Sequence, residues 1–202
     1  MSDGTTDELT LAQDLAARIC HDLGGPVGMV AGLLELPDGP DAEALASARE
    51  GAAELRRRLL LWRAAAGGSG PVPLSQLPAL AAGMLAGGRA TLVLHGDAGL
   101  PPEGGQILLL AALVAGEALT RGGTVEISRE SAEVLVLADG PVVRWPPALL
   151  ALLAGEAAEP GARTVLPRLL LSLLATKGWQ AELLSGREGA APLLLLLRPP
   201  AG

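Results

Sequence analysis

The chain has 202 residues, half of them hydrophobic, which is enough material for one large or two small cores. A formal net charge of −7 argues against a nucleic-acid binder, which would show a basic face, and one cysteine, Cys20, excludes an internal disulfide. There is no Phe or Tyr and Trp stands only at 62, 145 and 179, so the core must be built from Leu, Ala and Val. The polar, acidic start predicts no signal peptide. No uncharged apolar run reaches ~18 residues, so neither a transmembrane helix nor membrane insertion is expected, and a cytoplasmic location is.

The first element is a long helix over about 6–36. Its apolar residues Leu15, Ile19, Leu23, Val27, Val30 and Leu34 recur at steps of three and four. His21 lies two positions from both Ile19 and Leu23, roughly 160° from their stripe. It is therefore expected in solvent, with Arg18, Gly24, Gly25 and Gly28 near it. Pro26 removes one backbone donor, leaves the carbonyl of Asp22 without its helical partner and should bend the helix. The segment Pro37-Asp38-Gly39-Pro40-Asp41 is dense turn chemistry, and Asp38 or Asp41 can cap the next helix. That second helix is predicted over about 41–66, with Leu45, Ala48, Ala52, Leu55, Leu59 and Trp62 as a heptad seam. Arg56-Arg57-Arg58 reads as a solvated face or a site for an acidic partner. Two helices joined by a short turn bury too little apolar surface alone. Two such hairpins make a four-helix bundle, so a homodimer through residues 6–66 is expected.

Residues 67–73, Gly67-Gly68-Ser69-Gly70-Pro71-Val72-Pro73, form the clearest linker. They separate a hairpin domain, 1–66, from a second domain, 74–202. There the pattern predicts a short helix at 74–85, a strand at 91–95 and an apolar helix at 103–120 closed by Gly122-Gly123. Strands come next at 124–128 and 134–138, then helices at 146–155 and 164–177, and strands at 179–183 and 193–198. The fold class is thus a helical hairpin, dimerised as a four-helix bundle, followed by an α/β sandwich with helices on one face of a mixed sheet.

The chemistry concentrates in Cys20-His21-Asp22-Leu23-Gly24-Gly25-Pro26. Asp22 can orient the His21 ring by bonding one nitrogen and leave the other as a nucleophile. Gly24 and Gly25, one turn on, leave the backbone bare for another protein to approach. Cys20 is expected to pack partly against the bundle. It points about 100° away from His21 along the helix, which spoils a cysteine nucleophile helped by His95 and Asp97. His95, before Gly96-Asp97, reads as a turn residue, and two histidines with one cysteine make no zinc pattern.

The run Arg18-Ile19-Cys20-His21-Asp22-Leu23 with Pro26-Val27-Gly28 resembles the ChpT-type histidine phosphotransferases of alphaproteobacteria. Gly116-Glu117-Ala118-Leu119-Thr120-Arg121-Gly122-Gly123 is similar to that family again, and Ala162-Arg163-Thr164-Val165 more weakly. The resemblance implies a dimer whose second domain is like the ATP-binding domain of histidine kinases. In those kinases asparagines on the long helix hold Mg²⁺ and phosphates. This chain has no asparagine, and its long helix reads Leu110-Ala111-Ala112-Leu113-Val114-Ala115-Gly116-Glu117. Glu117 alone cannot supply the oxygens Mg²⁺ needs. After Asp139-Gly140 comes Pro141-Val142-Val143 and no glycine-rich lid, so the nucleotide site is read as lost.

Without ATP, His21 must take its phosphoryl group from another phosphoprotein. The resemblance implies a receiver domain of a hybrid histidine kinase as donor and response regulators as acceptors, with Mg²⁺ on the receivers and no cofactor of the chain's own. His21 is the expected phosphoacceptor and Asp22 its orienting acid. Arg18, Gly24, Gly25, Gly28 and Met29 form the docking face, and Pro26 the bend. Two alternatives stay open: a non-catalytic dimeric module that sequesters a partner, and a histidine kinase with an atypical ATP site.

Overall fold

The computed structural model describes residues 3–68, 70–82, 84–96, 104–130, 133–184 and 194–198. The chain divides into two compact units, residues 1–68 and 69–202.

The first unit is an antiparallel pair of helices, α1 (Asp3–Leu34) and α2 (Ala42–Ala65). Asp41 caps α2: its side chain accepts the Ala44 N–H at 2.8 Å, and its backbone is extended, as an N-cap requires. The turn is closed by Gly39, at φ 77°, whose N–H bonds to the Leu36 carbonyl.

The buried face differs in part from the expected seam: Ala48 and Trp62 on α2 are buried as expected, and Leu15, Ile19, Leu23 and Val30 on α1 are half-buried. On α2 the buried side carries Ala44, Ala48 and Gly51, while Leu45, Ala52 and Leu59 face solvent. On α1 Pro26 is buried, whereas Val27 and Leu34 are about half exposed. The cause is close approach. A methyl group at Gly51 would lie 2.5 Å from Met29 Cε and 2.8 Å from Val30 Cγ2, so any side chain there would make both of these α1 residues shift. Small residues line this approach, Leu61 and Trp62 further along α2 are buried as well, and Val27, Leu34, Leu45 and Leu59 are left exposed.

The second unit begins with a 3₁₀ turn (Leu74–Gln76), the short helix α3 (Leu77–Ala81) and another 3₁₀ turn (Leu85–Gly88). One continuous helix was expected; it ends at Ala82, whose ψ of 126° leaves the helical region. Then come β1 (Ala90–His95), α4 (Gly105–Ala118), β2 (Gly123–Glu130), β3 (Glu133–Asp139), α5 (Pro147–Leu153), α6 (Val165–Lys177), β4 (Gln180–Leu184) and β5 (Leu194–Arg198). The five strands form one mixed sheet in the order β1-β2-β3-β5-β4. β1 and β2 are parallel, joined through α4, and the remaining pairs are antiparallel.

Burial alternates along β2 and β3: Val125, Ile127, Val134, Val136 and Ala138 have no exposed surface, while Thr124, Glu126, Leu135 and Leu137 on the other face are half-buried. α4 packs against both strands and against α6. It is apolar on all sides and almost wholly buried from Ile107 to Ala115, as a helix with no polar face must be. Arg198 on β5 ties the neighbouring strands, at 2.7 Å to Glu133 on β3 and 3.0 Å to Glu182 on β4.

Two stretches that carry the family resemblance have structural roles here. Gly122 (φ 84°) and Gly123 (φ 142°) turn the chain from α4 into β2, and side chains there would strike the Arg89 and Asp139 carbonyls. Thr164 Oγ1 reaches the Glu159 and Gly161 carbonyls at 2.6 and 3.0 Å and closes the turn that starts α6.

Candidate functional site: a solvent-facing histidine on α1

The His21 side chain is 84% exposed, on the face of α1 turned away from α2, as the periodicity predicts. Its Nδ1 lies 3.1 Å from Asp22 Oδ1. A carboxylate oxygen accepts, so this contact suits the neutral tautomer with its proton on Nδ1, the one that leaves the Nε2 lone pair open to solvent. Asp22 is not free to turn: Arg18 Nε donates to its other oxygen at 3.2 Å, from one helical turn earlier. The carboxylate is only 16% exposed, because its position on α1 lies toward α2 while His21, one residue back, points outward. One end of the imidazole is thus held by a fixed anion and the other is open to solvent.

Around the ring the helix is bare. Side chains built at Gly24, Gly25, Gly28 or Gly32 would meet nothing within 4 Å. These positions share the His21 side of α1, so the main chain is the surface a partner would meet there. Met29, expected on that face, sits instead over Gly51 of α2, although it is still half exposed. Arg18 is half-buried and engaged with Asp22, so it orients the acid more than it extends the open face.

Pro26 stands where the helix is expected to bend, and its consequence is visible. The Asp22 carbonyl, which it deprives of a donor, accepts Arg58 Nη1–H from α2 at 2.6 Å. Arg58 Nε is held by Glu54 Oε1 at 2.8 Å, and Glu54 Oε2 takes Arg57 Nε and Nη2 at 3.0 and 2.6 Å. The Arg58 hydrogen bond is the main reason the Glu54 carboxyl titrates below the usual glutamate value, with Arg57 adding to it against the cost of burial. This corrects the reading of the arginine run as a solvated face. Arg57 is exposed and salt-bridged, but Arg58 joins the two helices. The signal was present in the orphaned carbonyl together with a Glu54–Arg58 spacing of one turn. What the sequence lacked was the register that lays 58 against 22.

Cys20 is exposed and does not pack within the hairpin. His95, at the end of β1, bonds Glu126 on β2 at 2.8 Å, which makes it a cross-strand pair. Asp97 lies outside the described residues. Among the described residues no group of three His, Cys, Asp or Glu could hold a metal ion, and no helix is long and apolar enough to cross a membrane.

Residues 74–188 match the family model of the histidine phosphotransferase C-terminal domain. The protein phosphotransferase ChpT of Brucella abortus (strain 2308) is 30% identical over 166 residues, covering 77% of this chain and 79% of that one. Among solved structures, the 1.7 Å structure of a bacterial phosphotransferase superposes with a TM-score of 0.74 at 27% identity, over 94% of this chain and 95% of the other. The fold that carries an open imidazole on a paired helix is therefore shared along nearly its whole length, and the chain belongs to the histidine phosphotransferase family.

Proposed function

We propose that this protein is a phosphorelay intermediate: His21 takes a phosphoryl group from a receiver-domain aspartyl phosphate and delivers it to the aspartate of a second receiver. The observation that carries the reading is the His21–Asp22 pair, in which Nδ1–H is engaged and Nε2 stands open. In the transfer the Nε2 lone pair attacks phosphorus in line. The P–O bond to the donor carboxylate breaks, and that carboxylate leaves with the electron pair. The proton stays on Nδ1, so the ring gains positive charge, and Asp22 lies against it. The Mg²⁺ and the charge-stabilising lysine belong to the receivers. Delivery is the same step reversed onto another aspartate.

The donor in this reading is the receiver of a hybrid histidine kinase, and the acceptors are response regulators, all in the cytoplasm. They dock on the open side of α1, where Gly24, Gly25 and Gly28 leave the main chain uncovered. The second unit is a kinase-like domain that binds no nucleotide. Support comes from α4, whose Leu110–Gly116 stretch is buried and offers no oxygen ligand. The working form is a homodimer. Leu9, Val27 and Leu34 on α1 and Leu45 and Leu59 on α2 are exposed apolar residues at heptad-like spacing, and a second hairpin laid on them completes a four-helix bundle.

The test is to mix the full chain with a radiolabelled phospho-receiver. Acid-labile label should appear on the wild type and be absent from His21→Ala, with self-association unchanged. Label from ATP alone would instead make the protein a kinase, and no label from any receiver would leave the sequestering module.

A further inference from the structure

Pro26 breaks the main-chain ladder of α1 at one place, and the carbonyl it orphans belongs to Asp22, the residue that holds the His21 ring. The replacement donor comes from the other helix. Arg58 reaches across at 2.6 Å while Glu54, one turn earlier on α2, grips its Nε at 2.8 Å. A planar guanidinium held at one edge presents its other edge in a fixed direction, and a charged donor makes a stronger bond than an amide would. Half-burial of both side chains limits competition from water. The contact also shares one register with the close approach at Gly51: two helical turns separate 22 from 29 on α1, and 51 from 58 on α2. Steric fit sets the helices at one level, and Arg58 pins them at the other.

We propose that Arg58, braced by Glu54, is a positioning residue for the His21 imidazole: it supplies the hydrogen bond that Pro26 removes, fixes the backbone at Asp22, and so keeps the Asp22 carboxylate on Nδ1 and Nε2 unprotonated. The proposal rests on the reading of His21 as phosphoryl acceptor. Without Arg58 the Asp22 carbonyl must turn toward water, the bend at Pro26 loosens, and only Arg18 steadies the carboxylate. The ring proton then distributes between the two nitrogens. A ring protonated on Nε2 has no lone pair there to attack phosphorus.

The test compares the full chain with Arg58→Met, Pro26→Ala and the double variant. One readout is the His21 tautomer, from ring-nitrogen chemical shifts by NMR. The other is single-turnover acceptance from a phospho-receiver, followed against protein concentration so that the saturating rate separates from docking. Arg58→Met should shift the ring toward Nε2–H and lower the saturating rate by roughly ten- to a hundred-fold, with the half-saturating concentration little changed. In the Pro26→Ala background, where a main-chain N–H again serves the carbonyl, the same substitution should do far less. Arg58→Lys, which keeps a charged donor, should hold the tautomer. Should Arg58→Met not fold, Glu54→Gln, which removes the charge that braces Arg58, carries the comparison. It should shift the ring in the same direction to a smaller extent, and an unchanged ring and rate there overturns the proposal. An unchanged tautomer and rate in folded Arg58→Met, or equal losses in both Pro26 backgrounds, overturns the proposal. Failure of the underlying reading shows separately, as label persisting on His21→Ala.

Discussion

The two units of this molecule use apolar residues in opposite ways. In the α/β unit they are spent inside: α4 is buried on every side, and the inner face of the sheet, from Val125 to Val136, is closed to water. In the hairpin several large apolar residues are left outside, although Leu61 and Trp62 on α2 are buried. Among the described side chains of α1 Pro26 is the buried one, while Leu9, Val27 and Leu34, with Leu45, Leu59 and Leu60 on α2, face solvent. Between the helices lie small residues and a polar joint, Gly51 with Met29 and Asp22 with Arg58. One unit closes its largest apolar side chains from water; the other leaves several of its own exposed. A joint made of directional hydrogen bonds also fixes the site more narrowly than sliding apolar contacts would.

The strongest way to break this contrast is to truncate a leucine in each unit. Leu110→Ala, in the middle of α4, leaves a cavity that the sheet cannot collapse to fill, and should cost about 2–5 kcal/mol. Leu59→Ala, at a position 53% exposed in the hairpin, should change the stability of the single chain by no more than about 0.5 kcal/mol. Urea unfolding at a protein concentration low enough to disfavour association measures both. Equal costs would mean that the hairpin has a core of its own.

The outward seam can be tested by charge. Leu59→Glu puts a carboxylate where a second hairpin is expected to lie. A two-fold dimer makes each contact twice, so losing a side chain worth ~1.5 kcal/mol at each copy weakens self-association by about a hundred-fold. Sedimentation equilibrium of wild type and variant measures this directly. A dimer of unaltered affinity would show that the seam serves another partner.

Much of the second unit was legible because its strands and helices obey single periodicities. Thr124-Val125-Glu126-Ile127-Ser128 alternates and is a one-sided strand; α4 is apolar throughout and is buried throughout. The hairpin was legible as two helices, with His21 outward, but only in part in its facing. Steps of three and four on α2 fit two overlapping seams, the expected Leu45-Ala48-Ala52-Leu55-Leu59-Trp62 and a face through Ala44, Ala48 and Gly51, and hydrophobicity favours the first. Of the expected seam the structure buries Ala48 and Trp62 and leaves Leu45, Ala52 and Leu59 exposed, while Ala44 and Gly51 turn inward, because close helix approach rewards the absence of side chains, which a hydropathy reading scores as weakness. The same blindness hid Arg58. Its partner is a main-chain carbonyl on another helix, and no side-chain pattern records a carbonyl.

The smallest effect probes the polar joint through pH. The Glu54 carboxyl is held below its usual value chiefly by Arg58, so its stabilisation is fully present above the ordinary glutamate pKa, about 4.3, and fades as pH falls through the lower folded value. Glu precedes Arg by one turn on α2, the favourable order for a helical ion pair, and such a pair contributes about 0.5 kcal/mol. Wild type should therefore exceed Glu54→Gln by about that amount at neutral pH, and the gap should close in acid, where the native carboxyl is as uncharged as the amide. Thermal unfolding of the two proteins across that range reads the difference alone, since every other titrating group is common to both. A gap that persists in acid would mean that Glu54 holds Arg58 by shape and not by charge. The joint would then belong with Gly51, as packing, and the electrostatic half of the contrast between the units would go.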